Sequence, residues 1–174
     1  MRSEVYWIDG PWPGRLAIVP RPRGGDWLDD EVRSWRDSGL DVVVSLLTPD
    51  EVREFELEQE EAKSRSQGIQ LCSFPIPDRG VPATRRRFIT LIDRLKEALR
   101  SGKSVAVHCR QGIGRSALVA ASLLVSEADD LDGAIARISS SRGRPVPDTV
   151  EQVDWVRDLG QTLASERSAV SSLH

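Results

Sequence analysis

A cysteine, an arginine and two glycines stand close together in the segment Val105–Ser116, which reads VAVHCRQGIGRS. The apolar residues Val105–Val107 predict a buried strand, and the apolar run from Arg115 to about Val125 predicts a buried helix. The loop between them contains no proline, so all of its backbone N–H groups can donate. A strand, a tight loop and a helix N-terminus form an anion site, because unpaired amides and the positive end of the helix dipole converge there.

Cys109 lies at the mouth of this predicted anion site. The loop amides and the helix end favour its charged form, so we expect a thiolate that can act as a nucleophile. Arg115 can hold two phosphoryl oxygens in bidentate fashion, and Gly112 and Gly114 allow close backbone approach and a positive φ. Ser116 can donate its hydroxyl to the departing sulfur. This pattern favours attack on phosphorus through a cysteinyl-phosphate intermediate.

The order His108-Cys109, five residues, Arg115-Ser116 resembles the active-site signature of the protein tyrosine and dual-specificity phosphatases. The segment Trp12–Pro22 resembles the entry into the sheet of the small atypical dual-specificity phosphatases. The resemblance implies an α/β fold with a central, mostly parallel sheet flanked by helices on both faces. It implies phosphomonoester hydrolysis without a metal or another cofactor. Phosphate is then expected to bind at Arg110, Gln111, Gly112, Ile113, Gly114 and Arg115.

The second candidate segment is the loop Pro75–Pro82, PIPDRGVP, which follows a strand predicted at Ile69–Phe74. Attack by the cysteine expels an alkoxide or phenoxide, which is a poor leaving group unless a nearby carboxylic acid protonates it. The same carboxylate can then activate water. Asp78 lies 31 residues before Cys109, and in the resembled family the general acid lies in an Ile-Pro-Asp loop at about that distance. The alternative is an aspartate that only caps a turn.

Supporting roles are predicted for His108 and Gln152. Neighbours at a strand end point to opposite sides, so we expect His108 to order the loop by hydrogen bonding rather than to act as a base. In the resembled family a glutamine early in a late helix lies near the phosphate, which implies that Gln152 positions the hydrolytic water. The alternative is a surface helix residue. Members of the resembled family can also carry a glutamate in this region, and Asp148 is the candidate for that position in this chain.

Composition limits the other function classes. The chain has 174 residues, of which 39% are apolar and 29% charged, as in an ordinary globular protein. Its net charge of −3 argues against a general nucleic-acid binder. With two histidines and two cysteines, neither a zinc site nor a disulfide framework is favoured. We see no signal peptide and no long apolar run, and expect a monomeric, cytoplasmic protein without membrane partners.

One catalytic domain is predicted over residues 1–163, followed by a flexible tail over 164–174. The remaining strands are predicted at Val5–Ile8, Arg15–Val19 and Asp41–Leu47, and the remaining helices at Trp27–Ser38, Thr48 to about Ser66, Thr84–Arg100, Leu131–Ser140 and Asp148–Leu163. The acidic helix after Thr48 is interpreted as a solvated outer helix, or else as a docking face for a basic partner. Arg85–Arg87 could attract an anionic substrate or form a solvated face.

Two other function classes remain open at this stage. The first is a module that binds phosphate without hydrolysing it. The second is a thiol redox or sulfur-transfer protein, and the presence of Arg115 followed by Ser116 disfavours this class. Cys72 could protect Cys109 by forming a disulfide. The substrate also stays open between phosphorylated protein side chains and other phosphomonoesters, such as a phospholipid head group or a nucleotide. The loop Arg110–Gly114 contains no lysine, which makes a phosphoinositide less favoured.

Overall fold

The computed structural model of the chain describes residues 3–173. Its five strands are β1 Tyr6–Ile8, β2 Leu16–Ile18, β3 Val42–Ser45, β4 Gln70–Ser73 and β5 Val105–His108. They form one sheet in the order β1-β2-β5-β3-β4. β1 and β2 pair as an antiparallel hairpin, and the other three neighbouring pairs are parallel. The carboxyl ends of β2, β3, β4 and β5 therefore meet at one edge of the sheet, where open α/β sheets bind their ligands.

Apolar layers cover both faces of the sheet. Successive strand residues point to opposite faces, so Val105 and Val107 pack into the larger layer while Ala106 packs into the smaller one. β3 divides in the same way, with Val43 on the smaller side. These two strands are buried on both faces, which explains their continuous apolar sequence.

Helices supply the rest of each layer. Four pack on the larger side: α4 Arg85–Arg100, α5 Arg115–Ser126, α6 Leu131–Arg142 and α7 Val150–Ser171. Three others come earlier in the chain: α1 Leu28–Asp37, α2 Pro49–Glu54 and α3 Glu60–Ser66. Every residue of α5 is buried. The helix that follows the candidate nucleophile is therefore the central helix of the larger layer.

The structure differs from the predicted elements in two places. The acidic helix predicted from Thr48 to Ser66 is two helices, because the chain turns at Glu56, with a φ of +54°, and buries Leu57. The last helix was predicted to end at Leu163 but continues to Ser171.

The additional turns of α7 contact the end of α5. The Arg167 guanidinium donates to the carbonyl of Ser126 at 3.1 Å. The predicted flexible tail is thus helical up to Ser171, although His174 lies outside the described residues. Within residues 3–173, no helix combines the length and the apolar composition that a membrane crossing requires.

Candidate active site

The loop after β5 brings backbone amides to the candidate nucleophile. Cys109 follows β5 directly and is only 2% exposed. Gly112 adopts a φ of +70°, which residues with a Cβ rarely adopt. Its N–H donates to the Cys109 sulfur at 3.3 Å. One amide of the loop therefore points at the atom that is predicted to carry negative charge.

A small cavity of about 140 Å³ adjoins this loop. Six of the residues that line it lie within 109–115, and the others are Asp78, Arg79 and Asp148. Of the predicted phosphate-binding residues, only Gly112 is absent from the lining, since its N–H faces the sulfur. The Arg110 guanidinium forms an ion pair with Glu54, at 3.2 Å. The cavity can hold a phosphate group and little more.

Arg115 is the first residue of α5 and is almost fully buried. Its two terminal nitrogens donate to both carboxylate oxygens of Glu51, at 2.7 and 2.9 Å. The same guanidinium donates to the carbonyl of Ile76 at 2.9 Å and to Asp78 at 3.2 Å. Burial by itself lowers the pKa of Arg115, but the hydrogen bonds to Glu51 and the nearby Cys109 outweigh it and raise the pKa. The guanidinium is therefore a fixed positive charge in the cavity wall.

Glu51 is a partner of Arg115 that the sequence did not indicate as part of the site. Thr48 caps α2, and its backbone N–H and hydroxyl donate to the Glu51 carboxylate, which turns back toward the helix start. Since α2 begins just after β3, the carboxylate lies beside Arg115. The interpretation of the acidic segment as a solvated surface is wrong for Glu51 and Glu60, which are both buried. The capping pattern of threonine followed three residues later by glutamate was the available signal.

Asp78 lines the same cavity as Cys109. Its side chain is 53% exposed, and one carboxylate oxygen accepts from Arg115. Ile76 anchors the loop from inside, because it is fully buried and its N–H donates to the carbonyl of Leu46 at 3.0 Å. The carboxyl group thus lies between solvent and the anion site, where a proton donor for a leaving oxygen is required.

Gln152 connects three parts of the site. It is fully buried at the start of α7, which excludes the alternative of a surface residue. Its amide nitrogen donates to the carbonyl of Gly80 in the acid loop at 3.1 Å, and its oxygen accepts from the N–H groups of Asp148 and Thr149. A Cβ on Gly114 would come within 2.9 Å of the Gln152 amide. Positioning of the hydrolytic water by Gln152 stays a prediction, because these contacts use both ends of the amide.

His108 points away from the cavity, as the alternation along β5 predicts. Its Nε2 lies 2.6 Å from a carboxylate oxygen of Glu60, and both side chains are buried. Its ring packs near that of Trp35, with 5.9 Å between the centroids. Glu60, the first residue of α3, therefore fixes the imidazole next to the nucleophile. The Ser116 hydroxyl is buried and has no hydrogen-bond partner within residues 3–173, so its predicted bond to the sulfur is absent from this structure.

Arg142, at the end of α6, contacts the outer side of the loop. Its guanidinium donates to the carbonyl of Gly112 at 2.9 Å and to that of Gln111 at 3.3 Å, and it stacks on Tyr6. In a trans peptide the C=O and N–H groups point in opposite directions. The peptide between Gln111 and Gly112 therefore has its C=O toward Arg142, at 3.3 Å, and its N–H toward Cys109. Arg142 orients the amide that serves the sulfur.

Comparison with known proteins identifies the family. A family model described as "Polymorphic toxin system, DSP-PTPase phosphatase" matches residues 19–129, which include Asp78, Cys109 and Arg115. The chain belongs to this DSP-PTPase phosphatase family. The phosphatase is also similar to Cyclin-dependent kinase inhibitor 3 of Rattus norvegicus, with 26% identity over 148 residues, which cover 84% of this chain and 69% of that protein. It is therefore a hydrolase of the protein tyrosine and dual-specificity phosphatase class.

Solved structures confirm the predicted α/β fold. Kinase associated phosphatase, with its catalytic-site cysteine replaced by serine, aligns with a TM-score of 0.82 at 18% identity, over 94% of this chain and 97% of that one. Tk-PTP in its active form aligns with a TM-score of 0.71 at 27% identity, over 90% and 96%. The first likeness concerns the fold alone. The predicted central, mostly parallel sheet with helices on both faces is that of these phosphatases.

The second cysteine of the phosphatase is remote from the first. Cys72 lies on β4 at the level of Val107, with β3 between them. Two strand spacings and two residues of rise put the Cα atoms of Cys72 and Cys109 about 12 Å apart. A disulfide requires a Cα separation below about 7 Å. The hypothesis of a protective disulfide is therefore wrong for this fold.

Proposed function

We propose that this phosphatase hydrolyses phosphomonoesters on protein side chains through a cysteinyl-phosphate, without a metal ion. The observation that carries the proposal is the Gly112 N–H directed at the Cys109 sulfur, in a cavity also lined by Arg115 and Asp78. Fixed amides and one guanidinium supply the electrostatic stabilisation that a metal would otherwise provide. The names of similar proteins, a kinase inhibitor and a kinase associated phosphatase, support a protein substrate.

In the first step the phosphate dianion binds the loop amides and Arg115. The Cys109 thiolate attacks phosphorus in line, the bond from phosphorus to the ester oxygen breaks, and Asp78 gives its proton to that oxygen. In the second step water attacks the cysteinyl-phosphate, and Asp78 accepts a proton from it. The phosphorus–sulfur bond breaks, inorganic phosphate leaves, and the Ser116 hydroxyl can donate to the released thiolate.

The contact between Arg115 and Asp78 gives substrate binding a further role. The guanidinium nitrogen that donates to Asp78 at 3.2 Å faces the cavity that the phosphate would enter. A bound phosphate competes with Asp78 for this nitrogen. The Asp78 side chain then loses its contact with Arg115 and can turn toward the leaving oxygen, to which it gives its proton in the first step.

The decisive experiment is hydrolysis of p-nitrophenyl phosphate between about pH 4.5 and 8 with EDTA present. We expect the parent protein to hydrolyse this substrate, and Cys109→Ser to lose at least about two orders of magnitude in rate. In Asp78→Asn the pH profile should lose the limb that depends on a protonated acid. Rapid acid quenching followed by intact mass measurement should detect one phosphoryl group on the parent and none on Cys109→Ser. Undiminished activity in Cys109→Ser, or inhibition by EDTA, would contradict the mechanism.

Synthetic peptides test the substrate class. Phosphotyrosine and phosphoserine peptides of identical flanking sequence separate tyrosine from dual specificity. A phosphorylated lipid head group and a nucleotide monophosphate serve as the alternative phosphomonoesters. A higher kcat/KM for either of these than for both peptides would contradict the protein substrate. We also expect a cytoplasmic location, where reducing conditions keep the free thiol of Cys109 available.

A further inference from the structure

One edge of the sheet is open. In the described part of the chain β4 pairs with β3 alone, and the N–H groups of Gln70 and Phe74 donate inward to the carbonyls of Asp41 and Ser45. Successive residues of a parallel strand direct their backbone groups to alternate sides. The N–H and C=O groups of Leu71 and Ser73 therefore point away from the sheet, where they can pair with another extended chain.

A groove follows this edge. Two cavities of about 630 and 640 Å³ lie between β4 and α4, and both are lined by Cys72, Thr90 and Arg94. Because they share these residues, they form one continuous depression along the edge. The upper cavity also includes Pro75, at the beginning of the acid loop, and Thr84, just beyond its end. The groove thus runs from the loop that carries Asp78 down the side of the molecule.

The upper part of the groove carries positive charge without a partner. Arg87 and Arg94 are two turns apart on α4, about 10.5 Å along the helix axis, and both line the upper cavity. Within the described part of the chain, neither forms an ion pair with a carboxylate, and the only side-chain hydrogen bond of Arg94 is to the sulfur of Cys72 at 3.9 Å. Glu61, the one acidic residue of this cavity, pairs with Arg65 at 2.9 Å. An acidic ligand therefore matches the upper part of the groove, whereas Asp93 and Glu97 line the lower cavity.

The groove is close enough to the nucleophile for one substrate to reach both. Ser45 of β3 is in register with Ser73 on one side and with His108 on the other. Ser73 and His108 are therefore level and about two strand spacings, or 10 Å, apart. Three extended residues span about 10 Å. A chain with its phosphorylated residue at Cys109 can reach the groove with residues at least three positions away.

We propose that the upper part of this groove binds an acidic, extended segment of the phosphorylated protein substrate. Carboxylates of the segment pair with Arg87 and Arg94, and its main chain lies along Leu71 and Ser73. The proposal rests on the proposed function, since it requires a phosphoprotein substrate. In this proposal the preference for one substrate sequence over another comes from residues distant from the phosphate cavity. The cavity itself holds little beyond the phosphate.

The first test compares three phosphotyrosine peptides: one with glutamates three to six positions after the phosphotyrosine, one with them three to six positions before it, and one with serines instead. We expect one acidic peptide to have a kcat/KM about tenfold above the serine peptide, since two exposed ion pairs contribute this order of magnitude. Arg87→Glu/Arg94→Glu should abolish the preference and leave p-nitrophenyl phosphate hydrolysis unchanged. Arg33→Glu/Arg157→Glu, with the same change of net charge on remote exposed arginines, should retain it.

The second test does not depend on turnover. In Cys109→Ser the only remaining cysteine is Cys72, which lies in the groove. Burial raises the pKa of this thiol, so its alkylation is followed near pH 9. The preferred acidic phosphopeptide should slow the reaction severalfold, while inorganic phosphate should not.

The outcomes separate this proposal from the proposed function. Equal kcat/KM for all three peptides, or an unchanged alkylation rate at saturating peptide, would overturn the groove proposal while p-nitrophenyl phosphate hydrolysis still supports the phosphatase mechanism. Loss of that hydrolysis in the folded parent would overturn the mechanism, and the alkylation test would still decide whether the groove binds acidic segments. A preference that persists in Arg87→Glu/Arg94→Glu would also exclude the groove.

Discussion

Replacing Glu51 by glutamine tests whether this buried carboxylate positions Arg115. Both carboxylate oxygens accept from the guanidinium, and the two side chains are 9% and 1% exposed. Glutamine has the same shape but is neutral, and its amide nitrogen would face the guanidinium nitrogens as a donor. One of the two bidentate contacts is therefore lost, and the remaining one loses its charge.

The magnitude follows from the burial of the pair. Removing one partner of a buried ion pair costs about 3–5 kcal/mol, and we expect about 3 kcal/mol because glutamine keeps one acceptor. For a chain of this length that loss corresponds to a decrease in Tm of about 6–12 °C. We expect kcat/KM for p-nitrophenyl phosphate to fall by about 10- to 100-fold, because a displacement of about 1 Å in a positioning group has effects of this size.

The pH dependence carries a sign that can be checked. Burial by itself raises the pKa of Glu51, but hydrogen bonds from Arg115 and Thr48 outweigh it and hold the pKa below its ordinary value of 4.5. The stability that the ionised carboxylate contributes is therefore complete above pH 4.5 and is lost as the pH falls through the lower value of the folded state. The difference in the free energy of unfolding between the parent and Glu51→Gln should be constant near neutral pH and should shrink in acid.

Urea unfolding at several pH values and steady-state kinetics are the assays. Glu54→Gln is the matched control, since Glu54 lies on the same helix, is 52% exposed and, among residues 3–173, pairs only with Arg110. A pair of this exposure contributes about 0–1 kcal/mol, so the control should remain close to the parent in stability and in kcat. Parental stability and kcat in Glu51→Gln would refute the reasoning, as would a difference that increases in acid.

Two further substitutions test the loop itself. Arg142→Met should raise the KM for p-nitrophenyl phosphate by about tenfold, because a hydrogen bond to a charged group contributes about 1.5–3 kcal/mol. The control Arg157→Met should leave the KM unchanged. A KM of Arg142→Met equal to that of the parent would contradict the positioning role of Arg142. Gly114→Ala puts a Cβ within 2.9 Å of the Gln152 amide and should weaken competitive inhibition by inorganic phosphate. Gly114→Ala/Gln152→Ala should recover part of that affinity, and no recovery would exclude this contact as the cause.

Local sequence patterns were sufficient to predict the order of the strands and helices and the turn in the loop after Cys109. The apolar runs of β3 and β5 predicted buried parallel strands, and the glycines after Cys109 predicted a turn with a positive φ, which Gly112 adopts. These features depend on neighbouring residues, whose spacing limits the backbone directly. The limit of such patterns appears at Glu56 and Leu57. There the burial of one leucine divided a segment that composition alone described as a single acidic helix.

The residues that support the site could not be predicted from local sequence patterns. Glu51 contacts Arg115 across 64 residues of sequence, and Glu60 contacts His108 across 48. By composition both glutamates look like solvated surface charges, since glutamate is rarely buried unless it is paired. Their partners become neighbours only because α2 and α3 follow β3, which lies beside β5 in the sheet.

The sequence by itself was sufficient to predict the chemistry, because the predicted nucleophile, the loop amides and the guanidinium lie within seven consecutive residues whose geometry follows from one strand, one turn and one helix. The tertiary structure alone decided what holds these groups in place: Glu51 on Arg115, Glu60 on His108, Gln152 between the acid loop and Gly114, and Arg142 on the outer side of the loop. The open edge beside Arg87 and Arg94 likewise exists only because β4 is the last strand of the sheet. Hydrogen bonds and burial act at distances of a few ångströms, and only the folded chain sets which distant residues come that close.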